Sequence, residues 1–175
     1  MAIRDFEEVM PDLHPDVYVD ESALVIGDVV IGKDSSVWPF AVIRGDVNII
    51  RIGASTNIQD NSVLHVTHDG PHNPGGYALN VGDNVTVGHR VILHGCSIAD
   101  NCLIGMGATI MDGAVIPEHT IIGAGSLVTP GKELESGLWL GSPARRVREL
   151  SDEERDLIVY SARHYVRLKN RHQQS

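Results

Sequence analysis

The sequence predicts an all-β solenoid: a parallel β-helix of hexapeptide repeats closed by a C-terminal α-helix. Three observations predict it. Aliphatic residues recur every six positions over most of the chain, glycine often follows them directly, and a small or β-branched residue stands four positions after them. A period of six matches neither the 3.6-residue turn of a helix nor the two-residue alternation of a strand. It matches short strands joined by tight corners, with the aliphatic pointing inward and glycine permitting positive φ nearby. Three hexads make one roughly triangular coil, and coils stack at the inter-strand spacing of ~4.8 Å.

From the N-terminus, the inward aliphatics are Val19, Val25, Ile31, Val37 and Ile43, then, after a three-residue slip, Ile52, Ile58 and Leu64. Residues 66–80 lack the repeat and carry Pro and Gly at turn-forming density, so they read as a protruding loop. The repeat returns at Val81, Val87 and Leu93, drops one residue, and runs unbroken through Ile98, Ile104, Ile110, Ile116, Ile122 and Val128. Gly141-Ser142-Pro143-Ala144-Arg145-Arg146 reads as an irregular passage. Ser151-Asp152-Glu153-Glu154 is a capping box: the Ser151 hydroxyl accepts from a free first-turn amide while Glu154 reaches back. The helix is expected to run to about Asn170, with a stripe of Leu157, Ser161, His164 or Tyr165, and Leu168. Residues 1–150 thus form the solenoid, and residues 151–175 a helix packed on it within the same domain or laid over a neighbouring subunit.

Composition agrees. The 175 residues suffice for one sizeable core, and 18 glycines against two phenylalanines suit a solenoid filled by aliphatics. A net charge of −9 argues against nucleic acid or an anionic membrane as partner. No apolar run approaches the ~20 residues of a membrane span. The N-terminus lacks a signal-peptide pattern, so the cytoplasm is the expected compartment. Cys96 and Cys102 have neither CxxC spacing nor a disulfide framework. Cys102 falls on an inward position, and Cys96, beside His94, is a lesser candidate ligand.

Three histidines stand at defined places in the repeat. His65 follows Leu64 and His94 follows Leu93, which are equivalent positions on successive coils. Their separation is one 18-residue coil plus an 11-residue insertion. Two neutral imidazoles stacked this way reach one zinc at ~2.0–2.1 Å. His89 lies two residues after Val87, on the preceding face, with an extended path of about 16 Å to His94. It therefore completes a site on another subunit, and three subunits around an axis close a ring with three metal sites. The remaining histidines read as solvated or packing residues.

Other polar residues share these edges. Arg44 occupies the position of His65 one coil earlier, Asp46 lies two residues on, and Gln59 and Asp60 follow Ile58. Arg44 and Asp46 read either as an exposed ion pair worth ~0–1 kcal/mol or as part of a network across an interface, with Gln59 bonding a metal-bound water.

Together Ile43-Arg44-Gly45-Asp46, Asn57-Ile58-Gln59-Asp60-Asn61, Leu64-His65, Gly88-His89 and Leu93-His94-Gly95-Cys96 resemble the gamma-class carbonic anhydrases, and most of all the short bacterial hexapeptide-repeat proteins of that kind. The resemblance covers nearly the whole chain. It implies a left-handed β-helix and a homotrimer. It implies zinc, or iron or cobalt, held by His65 and His94 of one subunit and His89 of the next. The implied reaction is reversible hydration of CO2 to bicarbonate by metal-bound hydroxide. Gln59 would orient the metal-bound water or bicarbonate, Arg44 and Asp60 would bridge subunits with Asp46 in support, and Tyr160 looks like the tyrosine that approaches the site.

The chain also departs from the pattern. Val47 replaces a glutamate, Ala162 an asparagine, and the loop offers His68, Asp69 and His72 where the family has a proton-shuttle glutamate. His68 is a candidate replacement, since histidine titrates near ~6.5. Two rival functions follow: a metal-bound trimeric scaffold with little activity, and a hexapeptide-repeat acyltransferase or thioesterase, whose trailing Gly-Ser-Pro-Ala-Arg segment is shared.

Overall fold

Three columns of short parallel strands form the three walls of the solenoid in the computed structural model, which describes residues 2–174. The first wall stacks Val63–His65, Ile92–His94, Thr109–Ile110 and Leu127–Val128 on the leading halves of two long strands, Leu24–Ile31 and Val42–Ile52. The trailing halves of those strands begin the second wall, which continues through Leu79–Val81, Ser97–Ile98 and Val115–Ile116. The third wall runs from Tyr18–Val19 through Ser36–Val37, Asn57–Ile58, Thr86–Val87, Leu103–Ile104 and Thr120–Ile122 to Gly137–Leu140.

The hexad aliphatics fill the interior. In the first wall Val25, Ile43, Leu64, Leu93 and Ile110 are successive ladder partners, each with no exposed surface. Full burial of such a side chain is worth about 1.5–3 kcal/mol. The small residues four positions later line the corners. Three that are polar are satisfied by the next coil: Ser35 Oγ donates to Gly53 O at 2.7 Å, Thr56 Oγ1 to Gly82 O at 2.8 Å and Ser62 Oγ to Gly88 O at 2.9 Å.

The repeat glycines work differently from the expectation. Gly32, Gly53, Gly82, Gly88, Gly105 and Gly123 do not adopt left-handed φ. They are needed for close approach: a Cβ on Gly32 would lie 2.7 Å from the carbonyl carbon of Gly53, and one on Gly53 2.6 Å from that of Gly82. The left-handed residue is the third after each aliphatic, as at Asp34, Phe40, Ser55, Asn61, Asn84, Arg90, Asn101 and His119, with φ between 53° and 60°. The corner thus places its strain on mostly non-glycine residues, and the glycines serve coil stacking.

All three irregularities of the repeat fall at one corner, between the first and second walls. The step between aliphatics there is six residues from Val25 to Ile31, nine from Ile43 to Ile52, 17 from Leu64 to Val81 and five from Leu93 to Ile98. The three-residue slip bulges Asp46–Ile49 out of the strand pairing. The long insertion leaves at His65 and returns at Leu79. Its neck is closed by reciprocal backbone bonds of 3.0 Å between Thr67 and Tyr77.

After the last coil, Arg145–Arg148 pairs antiparallel with Gly137–Leu140, so the passage expected to be irregular contains a hairpin strand. The helix spans Asp152–His172 with its capping box formed, and lies on the third wall against Ser36–Val37, Asn57–Ile58 and Thr86–Val87. Its buried stripe is Ile158, Ala162 and Lys169, shifted one position from the expected one, and Leu157 is half exposed. The shift follows from Lys169, whose stem is buried while its Nζ meets Asp34 Oδ1 at 3.1 Å and Asn170 Oδ1 at 2.8 Å. Among the described residues no helix is long and apolar enough to cross a membrane.

Candidate metal centre

The two edges of the first wall carry two separate clusters. At the irregular corner, His65 and His94 are direct ladder partners. Their rings meet edge to face with centroids 5.1 Å apart, and His65 Nδ1 lies 3.1 Å from His94 Nε2. Two nitrogens bound tetrahedrally at ~2.0–2.1 Å stand ~3.3 Å apart, so the pair is already at chelating separation. A hydrogen bond between two ring nitrogens needs one proton, which a metal ion would displace.

The outer nitrogen of each ring is held by a carboxylate. His65 Nε2 meets Asp46 Oδ1 at 3.0 Å, and His94 Nδ1 meets Asp112 Oδ1 at 2.7 Å. Such partners fix ring orientation and tautomer in metal sites. Burial holds His65 below the usual histidine range, with the Asp46 hydrogen bond opposing, which favours the neutral, ligating form. Burial alone would raise Asp46, but hydrogen bonds from His65 and Arg44, together with the Arg44 charge, bring it below the carboxylate range. Arg44 donates to Asp46 from the same strand.

At the other edge, between the third and first walls, His89 Nδ1 meets Asp60 Oδ2 at 2.9 Å. Gln59 is buried beside them, and its Nε2 donates to Asn57 Oδ1 at 3.0 Å. Asn57 in turn donates to Thr86 Oγ1, which shares a hydrogen bond with Ser161 of the helix. Gln59 and His89 open onto an apolar groove of about 460 Å³, walled by Leu103, Met106, Ile121 and Tyr165.

The eight expected site residues therefore divide. Arg44, Asp46, His65 and His94 come together at one edge, and Gln59, Asp60 and His89 at the other. Asp60 pairs with His89 and not with Arg44 inside one chain. Among the described residues no three His, Cys, Asp or Glu side chains converge as a metal site. Tyr160 stands apart from both clusters, 59% exposed and stacked on His164; Tyr165 lines the groove instead. Cys96 is not aimed at the histidines: it is buried in the core, where desolvation pushes its thiol up to about 12. Asp112 was not anticipated. Its register is readable, since Ile110 is the ladder partner of Leu93 and Asp112 turns the same corner one coil after His94.

The family described as bacterial transferase hexapeptide (six repeats) matches residues 95–134. Protein YrdA of Escherichia coli is 54% identical over 97% of this chain and 92% of its own length. A Methanocaldococcus jannaschii protein named probable carbonic anhydrase is 50% identical over 87% of this chain and 92% of its own. The solved structure of a hexapeptide transferase family protein from Anaplasma phagocytophilum superposes with a TM-score of 0.87 at 39% identity, covering 97% of this chain and 96% of that one. With the hexapeptide solenoid, the histidine register and a relative named probable carbonic anhydrase matched over nearly its full length, the chain belongs to the gamma carbonic anhydrase-like family.

Proposed function

We propose that three copies of the chain join through the first wall into a trimer with a metal site at each interface, and that these sites hydrate CO2 reversibly to bicarbonate. The observation that carries the proposal is the pair of incomplete clusters. Each offers imidazole nitrogens not taken up by its carboxylate, two at His65 and His94 and one at His89, and the clusters flank the same wall. The outward side chains between them include Val63 and Ile92, both more than 40% exposed, an apolar strip suited to burial against another copy. A closed ring of three brings the His65–His94 edge of one copy to the His89 edge of the next.

The donor set fits zinc, with iron or cobalt as alternatives. When bound, such an ion acidifies water to a pKa near ~7 and supplies a nucleophile toward CO2 at neutral pH. The chain's own residues do the rest. His65, His94 and the neighbour's His89 bind; Asp46, Asp112 and Asp60 hold their rings. Gln59, pinned by Asn57, is placed to orient the water or bicarbonate, and Arg44 keeps Asp46 ionised. The proton is handed to the loop, where His68 is exposed to solvent.

The acyl-transfer reading is favoured by the likeness to hexapeptide transferase family proteins and by the apolar groove beside His89, larger than CO2 requires. Against it stands the matched pair of imidazoles, each with its carboxylate, which exceeds what a single catalytic base needs. Metal analysis of anaerobically purified protein, with stopped-flow CO2 hydration, decides. Stoichiometric metal with hydration is the expected result. Metal without hydration identifies a scaffold, and coenzyme A binding without metal identifies acyl chemistry; either overturns the proposal.

A further inference from the structure

Asp112 lies outside the set of residues that the family resemblance supplies, yet it makes the shortest carboxylate–imidazole contact of the two histidine clusters. One of its carboxylate oxygens meets His94 Nδ1 at 2.7 Å, and both take the Thr67 hydroxyl at 3.0 Å. Space for it is built in. A Cβ on Gly95 would fall 2.4 Å from Asp112 Oδ1 and 2.6 Å from Tyr77 Cβ. Gly95 thus leaves room for both the carboxylate and the base of the tyrosine.

Thr67 belongs to the protruding loop. Its amide and carbonyl close the neck against Tyr77, and its carbonyl accepts from Asn48 Nδ2 at 3.0 Å. The Tyr77 ring lies against Gly113, the neighbour of Asp112, where a Cβ would stand 3.0 Å from Cε1. A continuous path therefore runs from the His94 ring through Asp112 and Thr67 to the loop neck and the bulge at Asn48.

We propose that Asp112 is the positioning residue for His94, and that through Thr67 it couples metal occupancy to the neck of the 66–78 loop. The inference rests on the metal reading of the histidine pair. A carboxylate that accepts Nδ1–H fixes the tautomer in which Nε2 faces His65. If loop closure favours that ring orientation, metal binding favours loop closure to the same extent, since coupling between sites is reciprocal.

The test uses the full chain and Zn2+ competed against a chromophoric chelator, with backbone amide exchange read at Thr67 and Tyr77. Asp112→Asn is expected to weaken zinc binding about 10–100-fold. Thr67→Val is expected to weaken it by a smaller factor, and Thr67→Ser to restore it. Zinc slows exchange at the neck in the parent chain and fails to do so in Asp112→Asn and Thr67→Val. Thermal midpoints of the metal-free variants separate this from a merely structural role, which would lower the midpoint and leave zinc affinity intact. If Asp112→Asn does not fold, the Thr67 pair carries the test alone. Unchanged zinc affinity in the folded variants, or neck exchange indifferent to zinc, overturns the coupling. A parent chain that takes up zinc without hydrating CO2 overturns the proposed activity and leaves the coupling standing. A parent chain that takes up no metal overturns both.

Discussion

His65 and His94 are 29 residues apart in the chain and 3.1 Å apart in space. The insertion between them leaves and re-enters the solenoid at one corner, so the coils above and below keep their register. That corner also absorbs the three-residue slip of the repeat, in the bulge that carries Asp46. Between Val19 and Val128 the scaffold varies in length only at the corner where the candidate site stands.

The glycine columns set a stability prediction. Gly53→Ala places a methyl group against the backbone of Gly82, which cannot move without unstacking a coil. A loss on the order of 1–3 kcal/mol is expected, the usual range for overpacking. Urea unfolding monitored by circular dichroism checks it. A change below about 0.5 kcal/mol would mean that coil spacing is more yielding than the close approach implies.

The helix start sets a pH prediction. Hydrogen bonds from Arg148 and from Ser151 N–H bring Glu154 down to about 2, against an ordinary value of 4.5. Between those values the unfolded chain holds a proton that the folded chain does not, so stability rises with pH across the window. The contribution is complete above the unfolded value and disappears as pH falls to about 2. Because the pair lies at the surface, with Arg148 half exposed and Glu154 partly so, the effect is small and screened by salt. The midpoint difference between the parent chain and Glu154→Gln, measured from pH 6 down to pH 2, should shrink steadily. A difference independent of pH would remove Glu154 from the linkage.

The loop sets a kinetic prediction. If His68 moves the proton, His68→Ala lowers kcat at low buffer concentration by about 10²-fold, within the range of general acid–base catalysis, and added imidazole buffer restores it. Stopped-flow rates over a buffer series check this. Equal rates and equal buffer dependence in both proteins would exclude His68 as the shuttle.

Much of this was legible from residue spacing, for a physical reason. Each coil must bury one aliphatic per wall, so Leu64 and Leu93 reveal their register, and His65 and His94 inherit it. Asp112 turns the same corner but stands two positions after its aliphatic Ile110, where each histidine stands one after its own, so the histidine register does not single it out. The glycines were visible but not their purpose: tight corners and close stacking both call for glycine, and only the backbone angles distinguish them. The helix stripe was misplaced because Leu157 outweighs Lys169 on any hydropathy reading, although a lysine stem buries well when Asp34 meets its end. The resemblance points to Tyr160, whereas burial of Ile158 and Ala162 turns Tyr165 to the groove.

The most direct test of the shared-site proposal is complementation between two incomplete chains. His89→Ala keeps the His65–His94 pair, and His94→Ala keeps His89. Each alone should form trimers that take up little zinc and hydrate no CO2. Unfolded together in equal amounts and refolded, they should regain about one quarter of the parent's zinc sites, because random closed rings pair an intact edge with an intact edge at about that frequency. Substantial zinc binding by either variant alone, or none recovered after mixing, would contradict a metal site built from two neighbouring chains.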